Sequence, residues 1–168
     1  LFTDLRGSTA LYERVGDLVA FDLVKAHFQV LSEIVAAEAG AVVKTIGDAV
    51  MATFPTPERA MAAALRMRNA MRDMNAARGS EDLLLKIGIH EGPCLAVTLN
   101  DRQDFFGQTV NIAARVQGLA TSRAIFATKA VVENAETSAL LQRSGLTAAP
   151  QSHALRGIGA EMAIYEIP

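Results

Sequence analysis

The spacing of apolar positions changes several times along this chain, and each change marks an element. Over residues 10–39, Leu18, Phe21, Val24, Phe28, Leu31 and Val35 recur at intervals of three and four. That spacing predicts one long helix with a buried face, stopped at Gly40. Upstream, Leu1-Phe2 reads as the end of a strand that runs into a loop over 3–9, with Ser8 or Thr9 as the helix cap. Residues 41–54 hold two β-branched or apolar runs joined at Gly47, the pattern of a tight hairpin whose second arm alternates into a core. Pro55 and Pro57 end that arm and open a second helix over 58–77. Its stripe of Ala60, Ala64, Met67, Met71 and Met74 predicts core packing. A strand follows over 83–90, then a turn at Glu91-Gly92-Pro93 and a second run over 94–99. A polar loop at 100–104 passes through Phe105-Phe106-Gly107 into a helix over 109–119. The remainder reads as a strand at 124–127, helical patches at 128–135 and 136–143, and two strands at 152–155 and 162–167 around a turn at 157–159.

This order predicts an α+β, ferredoxin-like sandwich with an antiparallel or mixed central sheet, rather than a parallel doubly wound one. With 168 residues, 51% hydrophobic and 20% charged, the chain is expected to form one domain, 1–168, with its own core. A net charge of -2 argues against a nucleic-acid binder or a membrane-surface contact. The single cysteine, Cys94, excludes an internal disulfide and reads as a small core residue in an apolar strand. The expected compartment is reducing and cytosolic. No apolar run approaches the roughly 18 residues that span a bilayer. Since the chain opens at Leu1 without methionine, it is expected to be part of a longer protein whose membrane anchor, if it has one, lies elsewhere.

Charge changes the picture at three points. Lys44 and Asp48 flank the hairpin turn, and Asp4 ends the first strand. If those strands are neighbours, both carboxylates project at one sheet edge. Such a pair suits Mg²⁺ when the rest of the coordination shell is left to water and phosphate oxygens. Equally, Asp4 and Asp48 are good turn residues and Lys44 an ordinary solvated lysine.

Five blocks tip the balance when taken together. Phe2-Thr3-Asp4-Leu5-Arg6-Gly7-Ser8-Thr9, Lys44-Thr45-Ile46-Gly47-Asp48-Ala49, Ile87-Gly88-Ile89-His90-Glu91-Gly92, Phe106-Gly107-Gln108-Thr109-Val110-Asn111-Ile112-Ala113-Ala114-Arg115 and Leu155-Arg156-Gly157 stand in family order and spacing. Over essentially its whole length the chain resembles the class III nucleotide cyclase catalytic domain, most like a bacterial adenylyl cyclase. The resemblance implies that Asp4 and Asp48 hold two Mg²⁺ or Mn²⁺ ions, with the Leu5 carbonyl as a backbone ligand. It places Lys44 and Asp104 on the purine, Asn111 and Arg115 on the ribose and reacting phosphate, and Arg156 on the terminal phosphates. It further implies a homodimer with two sites, each chain giving metal aspartates to one site and base-reading and phosphate residues to the other. His90 is a general base only on paper, because metal activation removes the need for one.

The implied reaction is attack of the ribose 3′-hydroxyl on the α-phosphate of ATP, giving cyclic AMP and pyrophosphate. Adenine offers an acceptor at N1 and donors at N6, which complement a donating Lys44 and an accepting Asp104. Guanine presents the reverse, and the family's guanylyl cyclases are expected to carry an acid where Lys44 stands. A guanylate cyclase, or a nucleotide-binding dimerisation module without useful turnover, is the alternative. Three departures from the family pattern stand out. Ser8 replaces a common phenylalanine, Arg156 a common lysine, and Val97-Thr98-Leu99-Asn100-Asp101-Arg102 a glycine-rich hairpin, which bears on Asp104.

Overall fold

The structure, a computed structural model, describes residues 1–120, 123–155 and 157–168. The first strand, β1 (Phe2–Leu5), is followed by helices α1 (Ser8–Val15) and α2 (Asp17–Ala37) and the hairpin β2 (Ala41–Ile46) and β3 (Ala49–Thr53). Then come α3 (Pro57–Arg78), β4 (Leu85–Ile89), the ribbon β5 (Leu95–Leu99) and β6 (Arg102–Phe106), and α4 (Gln108–Leu119). The chain closes with β7 (Ile125–Thr128), α5 (Lys129–Val132), α6 (Ala135–Arg143), β8 (Ala149–Ala154) and β9 (Glu161–Ile167). The central sheet runs β2-β3-β1-β4-β7-β9-β8, and only β4 and β7 pair in parallel. Its β2-β3-β1-β4 part, with helices between β1 and β2 and between β3 and β4, is the split βαβ arrangement of a ferredoxin-like sandwich. No helix among the described residues is long and apolar enough to cross a membrane.

Alternation along the strands divides the core in two. Ile125 and Ala127 point to the layer of α2 and α3, where Leu31, Met61 and Met67 are fully buried. Ala124 and Phe126 point the other way and join Ile112 and Val116 of α4. Gly88 lets α4 lie directly on β4, since a Cβ there would come within 2.2 Å of the Gln117 backbone nitrogen. Met67 and Met71 are buried as the stripe predicts. Thr56 caps α3, its Oγ1 accepting the Arg59 N–H at 3.2 Å.

Four expectations need correcting. The helix over 10–39 is two helices, because Gly16 adopts φ 83, ψ 161 and breaks the backbone between Val15 and Asp17. Val24, Leu31 and Val35 of the expected stripe are buried, together with Ala20 and Leu23, but Leu18, 82% exposed, and Phe21 near the start of α2 face outward. The α1 cap is Gly7 in the left-handed region, with no side-chain bond, rather than Ser8 or Thr9. Residues 3–5 belong to β1, and 102–104 belong to β6, a strand that reads as a loop from its polar composition. Lastly, Cys94 is exposed, because the run after it leaves the central sheet and forms a separate two-stranded ribbon.

Candidate active site

Asp4 sits near the C-terminal end of β1, opposite Lys86 of β4. Thr3 pairs with Val50, so the β2–β3 turn that carries Asp48 lands beside the end of β1. The two carboxyl groups lie close enough there to interact. Burial, and then the Asp48 carboxyl beside it, push Asp4 up to about 6, while Lys86 and the Leu5 N–H pull the other way. Without a cation, carboxylates brought this close share a proton. Asp48 Oδ2 is also buried without a hydrogen-bond partner. Buried acceptors normally find a donor or an ion, and hard oxygens with one unsatisfied position fit a divalent cation such as Mg²⁺. Among the described residues no group of three or more His, Cys, Asp or Glu could hold a metal. A cation at this pair would therefore take most of its shell from water, backbone and ligand oxygens.

Lys44 and Asp104 form a second pair. β2 presents Lys44 beside the ribbon, and its Nζ donates to Asp104 Oδ2 at 2.8 Å. The other oxygen of Asp104 accepts the Phe105 N–H at 2.7 Å. These two bonds hold the Asp104 carboxyl below its usual range, so it remains an acceptor. Lys44 Nζ also lies 5.9 Å from the centroid of the Phe106 ring, a cation–π partner that sequence reasoning missed. Asp104 is in place because Asn100 and Asp101, at φ 50 and 60, make the two-residue left-handed turn that closes β5 onto β6. Asn and Asp accept that conformation more readily than most residues, which is how this stretch does without glycine. An Asn-Asp step between two short runs was the available signal for the missed strand.

Asn111 and Arg115 lie one turn apart on α4. Asn111 is exposed and its amide has no partner among the described residues. Arg115 is half-buried and its Nε is buried without a partner. Its guanidinium rests against Gly157, where a Cβ would meet Nη2 at 3.3 Å, so it borders the segment predicted to bind terminal phosphates. Arg156 itself lies outside the described residues. Within one chain, no hydrogen bond or ion pair among the described residues joins Asp4 and Asp48 to Lys44 and Asp104, or either pair to α4. His90 directly follows β4, four residues beyond Lys86, with Nδ1 2.7 Å from Thr128 Oγ1. That contact accounts for it structurally, away from the aspartates.

The geometry thus offers an oxygen-rich edge, a donor–acceptor pair and an arginine whose Nε has no partner among the described residues. The family profile for the adenylate and guanylate cyclase catalytic domain matches residues 1–165. The adenylate cyclase of Anabaena cylindrica is 28% identical over 182 residues, covering 99% of this chain and 36% of that protein. This chain thus spans about a third of that relative's length. The crystal structure of the adenylyl cyclase CyaB from P. aeruginosa overlays with a TM-score of 0.79 at 23% identity, covering 99% of this chain and 91% of that one. A guanylate cyclase domain from Catenaria anguillulae, solved with GTP, overlays with a TM-score of 0.81 at 20% identity, covering 99% and 93%. With the family profile matched along nearly its whole length, this chain belongs to the adenylate and guanylate cyclase catalytic domain family.

Proposed function

We propose that this domain is an adenylate cyclase, converting ATP to 3′,5′-cyclic AMP and pyrophosphate as a homodimer with two shared sites. The observation that carries the base assignment is the 2.8 Å bond between Lys44 and Asp104. Lys44 keeps donor capacity for adenine N1, and Asp104 keeps lone pairs for the N6 amino group. Guanine would set its O6 toward the carboxylate and its N1–H toward the ammonium, leaving polar groups mispaired at a cost of several kcal/mol. Asp4 and Asp48, with the Leu5 carbonyl, would hold Mg²⁺ or Mn²⁺. Bound metal ions lower the pKa of an attacking hydroxyl and neutralise phosphate charge. Asn111 orients the ribose, and Arg115 places fixed positive charge against the reacting phosphate. Arg156 takes the terminal phosphates. These α4 groups serve the aspartates of the partner chain, consistent with their lack of contact to the aspartates of their own chain.

The test is cyclic nucleotide production by the purified domain over a range of protein concentrations, with ATP and GTP in separate reactions containing Mn²⁺. ATP-selective turnover whose specific rate rises with concentration is the expected result. GTP-selective turnover would replace this reading with a guanylate cyclase. No product from a demonstrably dimeric chain would replace it with a nucleotide-binding module.

A further inference from the structure

Arg115 is half-buried on α4 and makes no hydrogen bond or ion pair among the described residues. Its Nε is buried without a partner, so no bond from that nitrogen gives the guanidinium a direction. A long side chain that must present its charge at one place then has to be held by packing. The neighbour it has is Gly157, in the turn between β8 and β9. A Cβ at Gly157 would stand 3.3 Å from Arg115 Nη2 and 3.8 Å from Cζ, with no other atom of the described residues within 4 Å.

That turn is fastened to the helix. Leu155 is buried in the small core that holds Ile112 and Val116, which flank Arg115 along α4. Ile158 and Met162 pack against the same core. The Ile158 N–H donates to the Leu155 carbonyl at 3.0 Å and closes the turn, and Gly157 between them takes φ 80. Helix and turn thus share one core, which brings the backbone of Gly157 onto the guanidinium. Glycine answers two demands at this position, a positive φ and room for Arg115. Gly159, two residues on, meets neither, since its φ is not positive and a Cβ there would find nothing within 4 Å.

We propose that Gly157 is a positioning residue for the reaction: its bare backbone is the seat that aims the Arg115 guanidinium at the reacting phosphate. A side chain at 157 pushes the guanidinium off that seat, and a displacement of about 1 Å can cost about 10²-fold in rate. The role rests on the proposed use of Arg115 at the phosphate. Arg156, proposed for the terminal phosphates, directly precedes Gly157 in the chain, so one turn serves both cations.

Two measurements on the full chain test it. In the wild-type protein, low-temperature NMR is expected to show nuclear Overhauser contacts between the Gly157 α protons and the Arg115 guanidinium protons. Their absence in the folded domain overturns the seat, and this readout needs neither substrate nor a variant that folds. The second is a double-mutant cycle on cyclic AMP formation, with Gly157→Ala, Arg115→Ala and the two together. Gly157→Ala is expected to lower kcat about tenfold and to leave KM for ATP within about twofold, because the aim of Arg115 matters most in the transition state. In the Arg115→Ala background the same substitution is expected to cost less than about twofold, since the group it displaces is already gone. Gly159→Ala, a control in the same turn, is expected to leave kcat unchanged. An equal loss from Gly157→Ala in both backgrounds, a loss confined to KM, or a matching loss in Gly159→Ala overturns the proposal. If the wild type makes no cyclic nucleotide, the cyclase reading fails, and the NMR contact still decides whether the turn seats Arg115.

Discussion

The β2–β3 hairpin gives one member to each charged pair, Asp48 beside Asp4 and Lys44 beside Asp104, while Asp104 sits on the β5–β6 ribbon, and the two hairpins are held in very different ways. β2–β3 is built into the central sheet, with Val50, Met51 and Ala52 of β3 buried and β1 paired along its other side. β5–β6 pairs only with itself, leaving Leu95, Leu99 and Phe106 exposed. A two-stranded ribbon is marginally stable alone. The Lys44–Asp104 bond and the Lys44–Phe106 contact tie it to β2. The difference separates two jobs. On the proposed reading, Asp48 has the rigid support that in-line phosphate chemistry demands, while Asp104, the proposed base reader, sits on a ribbon whose exposed side chains can change without disturbing the core.

Altering the rigid hairpin has the largest expected effect. Asp48→Ala removes a ligand from the metal edge and lowers kcat by more than about 10³-fold with the fold intact, read by cyclic AMP formation alongside circular dichroism. A near-normal rate in a folded protein would remove the metal role from this hairpin. Where that hairpin meets the ribbon, the expected change is in selectivity. Lys44→Glu places an acceptor against adenine N1 and repels Asp104, so the ATP-to-GTP ratio of kcat/KM falls by about 10²-fold. An unchanged ratio would mean that the pair does not read the base.

Acidity sharpens the comparison further. Asp4 is raised to about 6 in the metal-free domain, above its ordinary value of 3.8. The folded state therefore holds a proton that the unfolded state has released over that window. The resulting stability is present below about pH 4 and is lost as pH rises through about 6. Compared with Asp4→Asn, the metal-free wild type should lose Tm between pH 4 and 6.5, and Mn²⁺ should restore it at the upper end, since the cation favours the ionised pair. Asp104 is held below the usual carboxylate range by Lys44 and adds no such dependence there. The smallest expected effect belongs to the ribbon turn. Asp101→Gly relieves a non-glycine residue at φ 60 and stabilises the chain by about 0.5–1 kcal/mol, seen as a small rise in Tm with unchanged turnover.

The rigid hairpin was legible in the sequence because its signals are local: two β-branched arms, Gly47 at φ 61, and an apolar second strand. The pairing of Asp4 with Asp48 could be anticipated once β1 and β3 were taken as neighbours. The ribbon was half legible. Arg102-Gln103-Asp104 has no buried face to impose alternation, so its strand character comes from the turn and from pairing with β5. The break at Gly16 was hidden because apolar residues continue at helical spacing on both sides of it. Its effect, turning Leu18 and Phe21 outward, is set by backbone direction rather than composition.

The central claim is that the aspartate edge and α4 act on each other only across two chains. Mixing Asp48→Ala with Asn111→Ala, each inactive alone, tests it most directly. Each mixed dimer should regain one intact site, and activity should approach a quarter of the wild-type rate at equal mixing, since about half the dimers are mixed and each has one of two sites. Heterodimers that form and remain inactive would contradict the account.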